Sequence, residues 1–172
     1  GSPDYFLRNC TSALSGTLQY NLGVNTLSNS PTFNSFTGAS PNNAVIGIAG
    51  NIGVGYSEAL MCNLTTSLVP NQAYQLSVWL SNPIITNTTY INSLNVPVVF
   101  RIGTMPTALP ISNFTTIASF TVPPGNFWTQ YTYTFVFNSA TPHSGMVVEL
   151  DSFGTWTVSP SAYTAGMYGL ID

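Results

Sequence analysis

The sequence predicts an all-β protein: a two-sheet antiparallel β-sandwich, or jelly roll, forming one domain over residues 1–172. Three observations predict it. Apolar residues recur with period two in short runs, Pro, Gly and Asn punctuate those runs, and no helical periodicity survives two turns. A chain of 172 residues is long enough to bury a core of its own.

The elements follow in order. Strands are expected at Ala44–Ala49 and Ser57–Leu64, then at Tyr74–Leu80, after a turn at Pro70-Asn71-Gln72. In Tyr74–Leu80, the residues Tyr74, Leu76, Val78 and Leu80 point one way, and Gln75, Ser77, Trp79 and Ser81 the other. Val96–Gly103 and Thr116–Val122 come next. Pro123-Pro124-Gly125-Asn126 then launches a strand from Trp128 to Phe137. Its Tyr131, Tyr133, Phe135 and Phe137 share a face opposite Gln130, Thr132, Thr134 and Val136, while Trp128 plugs the core. Gly145–Ser152 and Met167–Asp172 complete the set. Ser28–Asn43, Ser81–Asn95 and Phe153–Gly166 read as loops, the last carrying Trp156 and Tyr163.

Charge is scarce: two basic residues, Arg8 and Arg101, stand against five acids, Asp4, Glu58, Glu149, Asp151 and Asp172. An ordinary domain is about a quarter charged, so this chain relies on Asn, Thr, Ser, Gln and Tyr for solubility. Such a surface is nearly indifferent to pH and salt and suits an extracellular or surface-displayed module of a larger secreted protein. With no basic run, nucleic-acid binding is not expected. With no apolar stretch near 20 residues, neither is membrane insertion. Gly1-Ser2 reads as an expression scar, with a natural leader removed. Sequons begin at Asn9, Asn63, Asn87 and Asn113 and matter only in a glycosylating host. In an extracellular setting, Cys10 and Cys62 are expected to join in a disulfide; the alternative is two buried thiols. His143 and the two cysteines lack zinc-site spacing.

Three segments carry a family resemblance. The first is Ala44-Val-Ile-Gly-Ile-Ala, with Tyr56-Ser-Glu-Ala-Leu and Leu68-Val-Pro-Asn-Gln-Ala-Tyr-Gln-Leu-Ser-Val-Trp-Leu-Ser81. The second is Trp128-Thr-Gln-Tyr-Thr-Tyr-Thr-Phe135, and the third Tyr168-Gly-Leu-Ile-Asp172. In this order they resemble the galactose-binding-like jelly rolls, including family 4/9/22-type carbohydrate-binding modules. The opening Pro3-Asp4-Tyr5-Phe6 with Cys10 is similar to secreted Bacteroidetes versions. Two departures stand out. Nothing matches the usual first strand of these modules, and their pattern normally continues past Ile171-Asp172. Two expectations follow: either the chain is trimmed, or another segment or subunit completes an open sheet edge.

The resemblance implies a non-catalytic recognition module whose partner is a glycan or cell-surface polysaccharide. Sugars present apolar C–H patches beside hydroxyls, so aromatic platforms flanked by Asn, Gln and Asp suit them. Trp79 on the polar side of its strand, Trp156 and Tyr163 in a loop, and Tyr56 after Gly53-Val-Gly55 are the ligand-binding candidates. The alternative for Trp79 is a place under a covering loop, and for Trp156 and Tyr163 the anchoring of their own loop; Tyr56 would line a rim. Arg101 donates either to sugar hydroxyls or to Glu149 or Asp151. The resemblance also implies a structural Ca²⁺, with Asp172 as the leading ligand and Asp4 contributing. Glu149 and Asp151, two apart on one strand, lie about 7 Å from each other. Glycosidases draw their acids from different strands, so no catalytic role follows. His143 is expected in a turn, with no nucleophile elbow in the chain. The rival reading is a structural subunit of an extracellular filament or surface layer, self-associating through open strand edges.

Overall fold

A computed structural model describes residues 10–12, 19–22, 44–51, 56–57, 59–85, 91, 95–106, 114–151 and 166–172. Among the described residues there are eleven strands: β1 (Cys10–Ser12), β2 (Gln19–Leu22), β3 (Ala44–Asn51), β4 (Tyr56–Ser57), β5 (Ala59–Leu68), β6 (Ala73–Ser81), β7 (Val98–Met105), β8 (Thr115–Val122), β9 (Thr129–Val136), β10 (His143–Leu150) and β11 (Gly166–Ile171). They form two antiparallel sheets. One has the order β1-β5-β10-β7-β8 and the other β2-β3-β11-β6-β9, with β4 beside β3. The two-sheet sandwich agrees with the sequence.

The core is made by the inner faces of both sheets. Leu60, Val98, Phe100, Ile102, Val148 and Leu150 from the first meet Ile46, Ile48, Leu76, Val78, Leu80, Met167 and Ile171 from the second. Alternation along each strand supplies this set, as the period-two reading requires. One contact ties the layers closely. A Cβ at Gly169 on β11 would lie 2.3 Å from Phe100 Cζ and 2.9 Å from Leu150 Cδ2. Only a glycine lets the Phe100 ring seat against β11.

Turns follow their residue types. Asn71, between β5 and β6, holds φ 65°, a left-handed conformation that Asn tolerates well. A buried amide fixes the corner between β8 and β9. Asn82 Nδ2 donates to the carbonyls of Val96 (2.9 Å) and Val122 (3.1 Å). Its own carbonyl accepts from Gly125 N at 3.0 Å. Asn126 Oδ1 accepts from Ile84 N at 3.0 Å.

Several expectations shift. The strand expected at Ser57–Leu64 divides into β4 and a longer β5, which runs to Leu68. β1 and β2 form in stretches whose polar sequence carries no strand signal; their partners are β5 and β3. His143 is not in a turn. It opens β10 at 4 % exposure. One ring nitrogen lies 3.0 Å from Thr104 Oγ1 and the other 3.2 Å from Ser139 Oγ. Phe137 meets the ring edge-on, with centroids 4.8 Å apart. Two polar partners and an aromatic wall account for its burial. Trp128 is half-buried rather than a core plug. Cys10 and Cys62 are direct register partners, and no free cysteine occurs among the described residues.

Candidate functional site

The outer faces of the two sheets are each half covered. On the first sheet, Ala59, Met61, Met105 and Val147 form a separate buried cluster, with Phe114 packed against it. Toward β8 the same face opens, and Arg101 stands at the boundary. Arg101 pairs with Glu149, its register neighbour on β10, and its Nε lies 4.0 Å from Asp151 Oδ1. The guanidinium also sits 5.6 Å from the Phe114 ring centroid, within cation–π range. Two backbone features place that ring. The β7–β8 register slips between Ile102 and Gly103, a bulge that redirects the start of β8. Gly103 carries no Cβ, which would otherwise meet Phe114 Cδ2 at 2.2 Å. Burial pushes the Glu149 carboxyl up from its ordinary 4.5. The Arg101 hydrogen bond and charge oppose that rise, and Asp151 adds to it. Of the two roles weighed for Arg101, the ion pair is formed.

On the second sheet, Tyr168 and Leu170 are buried, while Gln75, Ser77, Gln130 and Thr132 are exposed. Trp79 sits between these regions, half-buried on the outer face opposite Gln130. Its backbone N and O bond to the O and N of Asp172 at 3.1 and 3.0 Å. Trp79 and Arg101 therefore occupy outer faces of opposite sheets and cannot share one ligand site. Tyr56 lies on β4, opposite Asn51. Trp156, Tyr163 and Asp4 fall outside the described residues. Asp172 is buried. No group of three or more His, Cys, Asp or Glu that could hold a metal gathers among the described residues.

The open flank lies between the edge strands β8 and β9. Near their connecting turn the two strands touch. Tyr131 Oη donates to the Thr121 carbonyl at 3.3 Å, and the Phe120 and Tyr131 rings lie 4.9 Å apart. Burial raises the Tyr131 pKa, which keeps its hydroxyl a donor. Away from the turn the edges splay and leave a groove. A cavity of about 350 Å³ is lined by Thr116, Ile117, Ser119, Phe120 and Tyr133. A second, of about 200 Å³, continues it past Tyr133 to Phe135, Val136 and Asn138. The Tyr133 and Phe135 rings stack at 6.2 Å and 11°. Tyr133 is 43 % exposed.

Sequence reasoning put Tyr133 on one face of its strand with Tyr131, Phe135 and Phe137; the structure turns that face inward, with Tyr133 beside Leu76 of β6. It stays exposed because β9 is an edge strand. No sequence signal says which strands become edges. Phe114 was missed for a similar reason, since its position depends on a bulge between strands.

No family model matches the sequence, and no curated protein is similar to it in sequence. Similarity appears in structure. The CBM22-1–GH10 modules of Clostridium thermocellum endo-1,4-β-D-xylanase 10B, complexed with xylohexaose, match over 95 % of this chain at 12 % identity and TM-score 0.55. The CBM22-2 xylan-binding domain of Paenibacillus barcinonensis Xyn10C matches over 95 % at 12 % identity and TM-score 0.52. The enzymatically active domain of bacteriophage CBA120 tailspike protein 4 matches over 99 % at 14 % identity and TM-score 0.51. The chain spans 25 % of the xylanase, 88 % of the xylan-binding domain and 20 % of the tailspike. At these identities the likeness is one of fold, and the fold is the jelly-roll sandwich of the carbohydrate-binding modules.

Proposed function

We propose that this chain is a non-catalytic, extracellular carbohydrate-recognition module that binds neutral glycans in the groove between β8 and β9. The observation that carries the reading is the pairing of the exposed Tyr133 ring, stacked on Phe135, with a lining of Thr, Ser and Asn. Ring faces take the C–H patch of a sugar, and hydroxyl and amide groups take its hydroxyls. The xylan-binding neighbour of the same fold supports the ligand class. The test is calorimetry with xylohexaose and a panel of neutral polysaccharides. Tyr133→Ala is expected to lose about 2 kcal/mol of binding, as a hot spot does, with a melting temperature close to the parent's. Trp79→Ala and Trp156→Ala test the sites expected from sequence. A Tyr133→Ala protein that binds as tightly as the parent would overturn the groove as the site.

The Cys10–Cys62 disulfide and a Ca²⁺ held by Asp172 and Asp4 belong to the same proposal. Direct register pairing supports the first. The resemblance of Ile171-Asp172 and oxygen-donor chemistry support the second. Alkylation without reductant is expected to leave the intact mass unchanged, and EDTA to lower the melting temperature, reversed by Ca²⁺.

One observation favours a second reading, self-association. β8 carries a bulge, but β9 runs in unbroken register with β6 and contains neither Pro nor charge. It lacks the features that keep an edge strand from pairing.

A further inference from the structure

We infer that the groove receives the terminus of a glycan chain rather than an interior stretch. The inference rests on the neutral-glycan reading above and specifies which part of the glycan is held.

The groove is closed at one end. The Tyr131 hydroxyl bonds to the Thr121 carbonyl, and the Phe120 and Tyr131 rings meet across the gap between the sheets. The turn behind them is fastened by Asn82, fully buried, through Val96, Val122 and Gly125. A chain lying along β8 and β9 therefore cannot run past Phe120. It stops there.

The larger cavity, about 350 Å³, lies at this closed end, and the smaller, about 200 Å³, lies beyond Tyr133. Thr116, Ile117 and Tyr133 line both, so the two are consecutive parts of one trough. Tyr133 sits at the junction, where its ring bears on the sugar next to the terminal one. Among the described strands, β8 pairs only with β7, and β9 only with β6. Backbone N–H and C=O groups on their other edges thus face the trough and can bond the extra hydroxyl that distinguishes a chain end.

Charge sets the ligand class. From Ile102 to Val148 the chain contains no Asp, Glu, Lys or Arg. The charges that flank this stretch in sequence, Arg101 and Glu149, are bonded to each other on the outer face of the first sheet, with Arg101 in register beside Ser119 of the lining. A uronic acid or sulfated sugar would lose hydration in the trough, and Arg101, the one Lys or Arg among the described residues, is already paired with Glu149. A neutral sugar loses nothing of the kind.

The experiment measures binding of xylose- and glucose-based oligosaccharides of two to six residues and of their soluble polymers. Affinity per chain is expected to level off at short length, changing less than about two-fold thereafter. Binding per unit mass is expected to fall as chains lengthen and ends become scarce. Phe120→Ala, which opens the closed end, is expected to restore binding per unit mass to the polymers. Tyr131→Ala removes both the closing hydrogen bond and the ring that meets Phe120, and serves if Phe120→Ala does not fold. Tyr133-dependent binding that rises with chain length, or polymer bound per unit mass as well as oligomer, overturns end recognition and leaves the glycan reading standing. No binding by any of these glycans overturns both.

Discussion

Replacing Gly169 by alanine tests the closest contact between the two sheets. The new Cβ would sit 2.3 Å from Phe100 Cζ and 2.9 Å from Leu150 Cδ2. Neither neighbour can retreat, because Phe100 and Leu150 are both fully buried in the packed core. Overpacking of this kind costs about 1–3 kcal/mol. Relief of glycine's backbone entropy in mid-strand returns about 0.5–1 kcal/mol. The overlap therefore wins, with a net loss of about 1–2 kcal/mol, or about 2–8 °C in melting temperature for a domain of this size. The decisive assay is a double-mutant cycle by urea unfolding. Phe100→Leu alone leaves a cavity costing about 1–2 kcal/mol, and Gly169→Ala partly fills that space. The double variant should lose at least about 1 kcal/mol less than the sum of the single losses. Losses that add within about 0.5 kcal/mol would mean the Phe100 ring does not rest on Gly169, and the packing argument fails.

Three further outcomes are expected. Glu149 has a raised pKa in the fold, so its contribution is fully present below its ordinary 4.5 and is lost as pH rises through the raised value; Glu149→Gln should gain on the parent across that window in pH-dependent unfolding, and a constant gap refutes it. His143 is shifted the other way, its pKa lowered from 6.5 chiefly by burial against a weaker opposing hydrogen bond. Its contribution is present above 6.5 and lost as pH falls through the lowered value, so the parent should destabilise more steeply than His143→Gln as pH drops below 6.5. Val136, 62 % exposed on the β9 edge, should become a block to self-pairing as Val136→Lys; light scattering that shows the same concentration-dependent association in both proteins removes β9 as the contact.

Period-two patterning made β6 and β9 legible, down to the faces of their side chains. Placement of Trp79 on the outer face followed from its position between Val78 and Leu80. The Arg101–Glu149 pair was legible as one of two options because so few charges exist to choose from. Other features depend on partners far along the chain. His143 is buried because Thr104, 39 residues away, faces it, and nothing near His143 in sequence announces that. Tyr133 has the same alternation signal as Tyr131, yet one is half-covered and the other open. The difference arises from the splay of two sheet edges, a property of the assembled sandwich.

The position of β11 has a kinetic consequence. This last strand lies inside its sheet, between β3 and β6. Its register joins Tyr168 to Ala49 and Ile171 to Leu80. Until β11 arrives, β3 and β6 have no common neighbour, and Phe100 has no glycine to rest on. Such distant pairings place a fold among the slow ones, in milliseconds to seconds. The ordering transition is thus tied to β11, the latest in sequence of the described strands. A polypeptide whose β11 is not yet made would hold β3 and β6 in two incomplete half-sheets, and the sandwich would close only once β11 joins them.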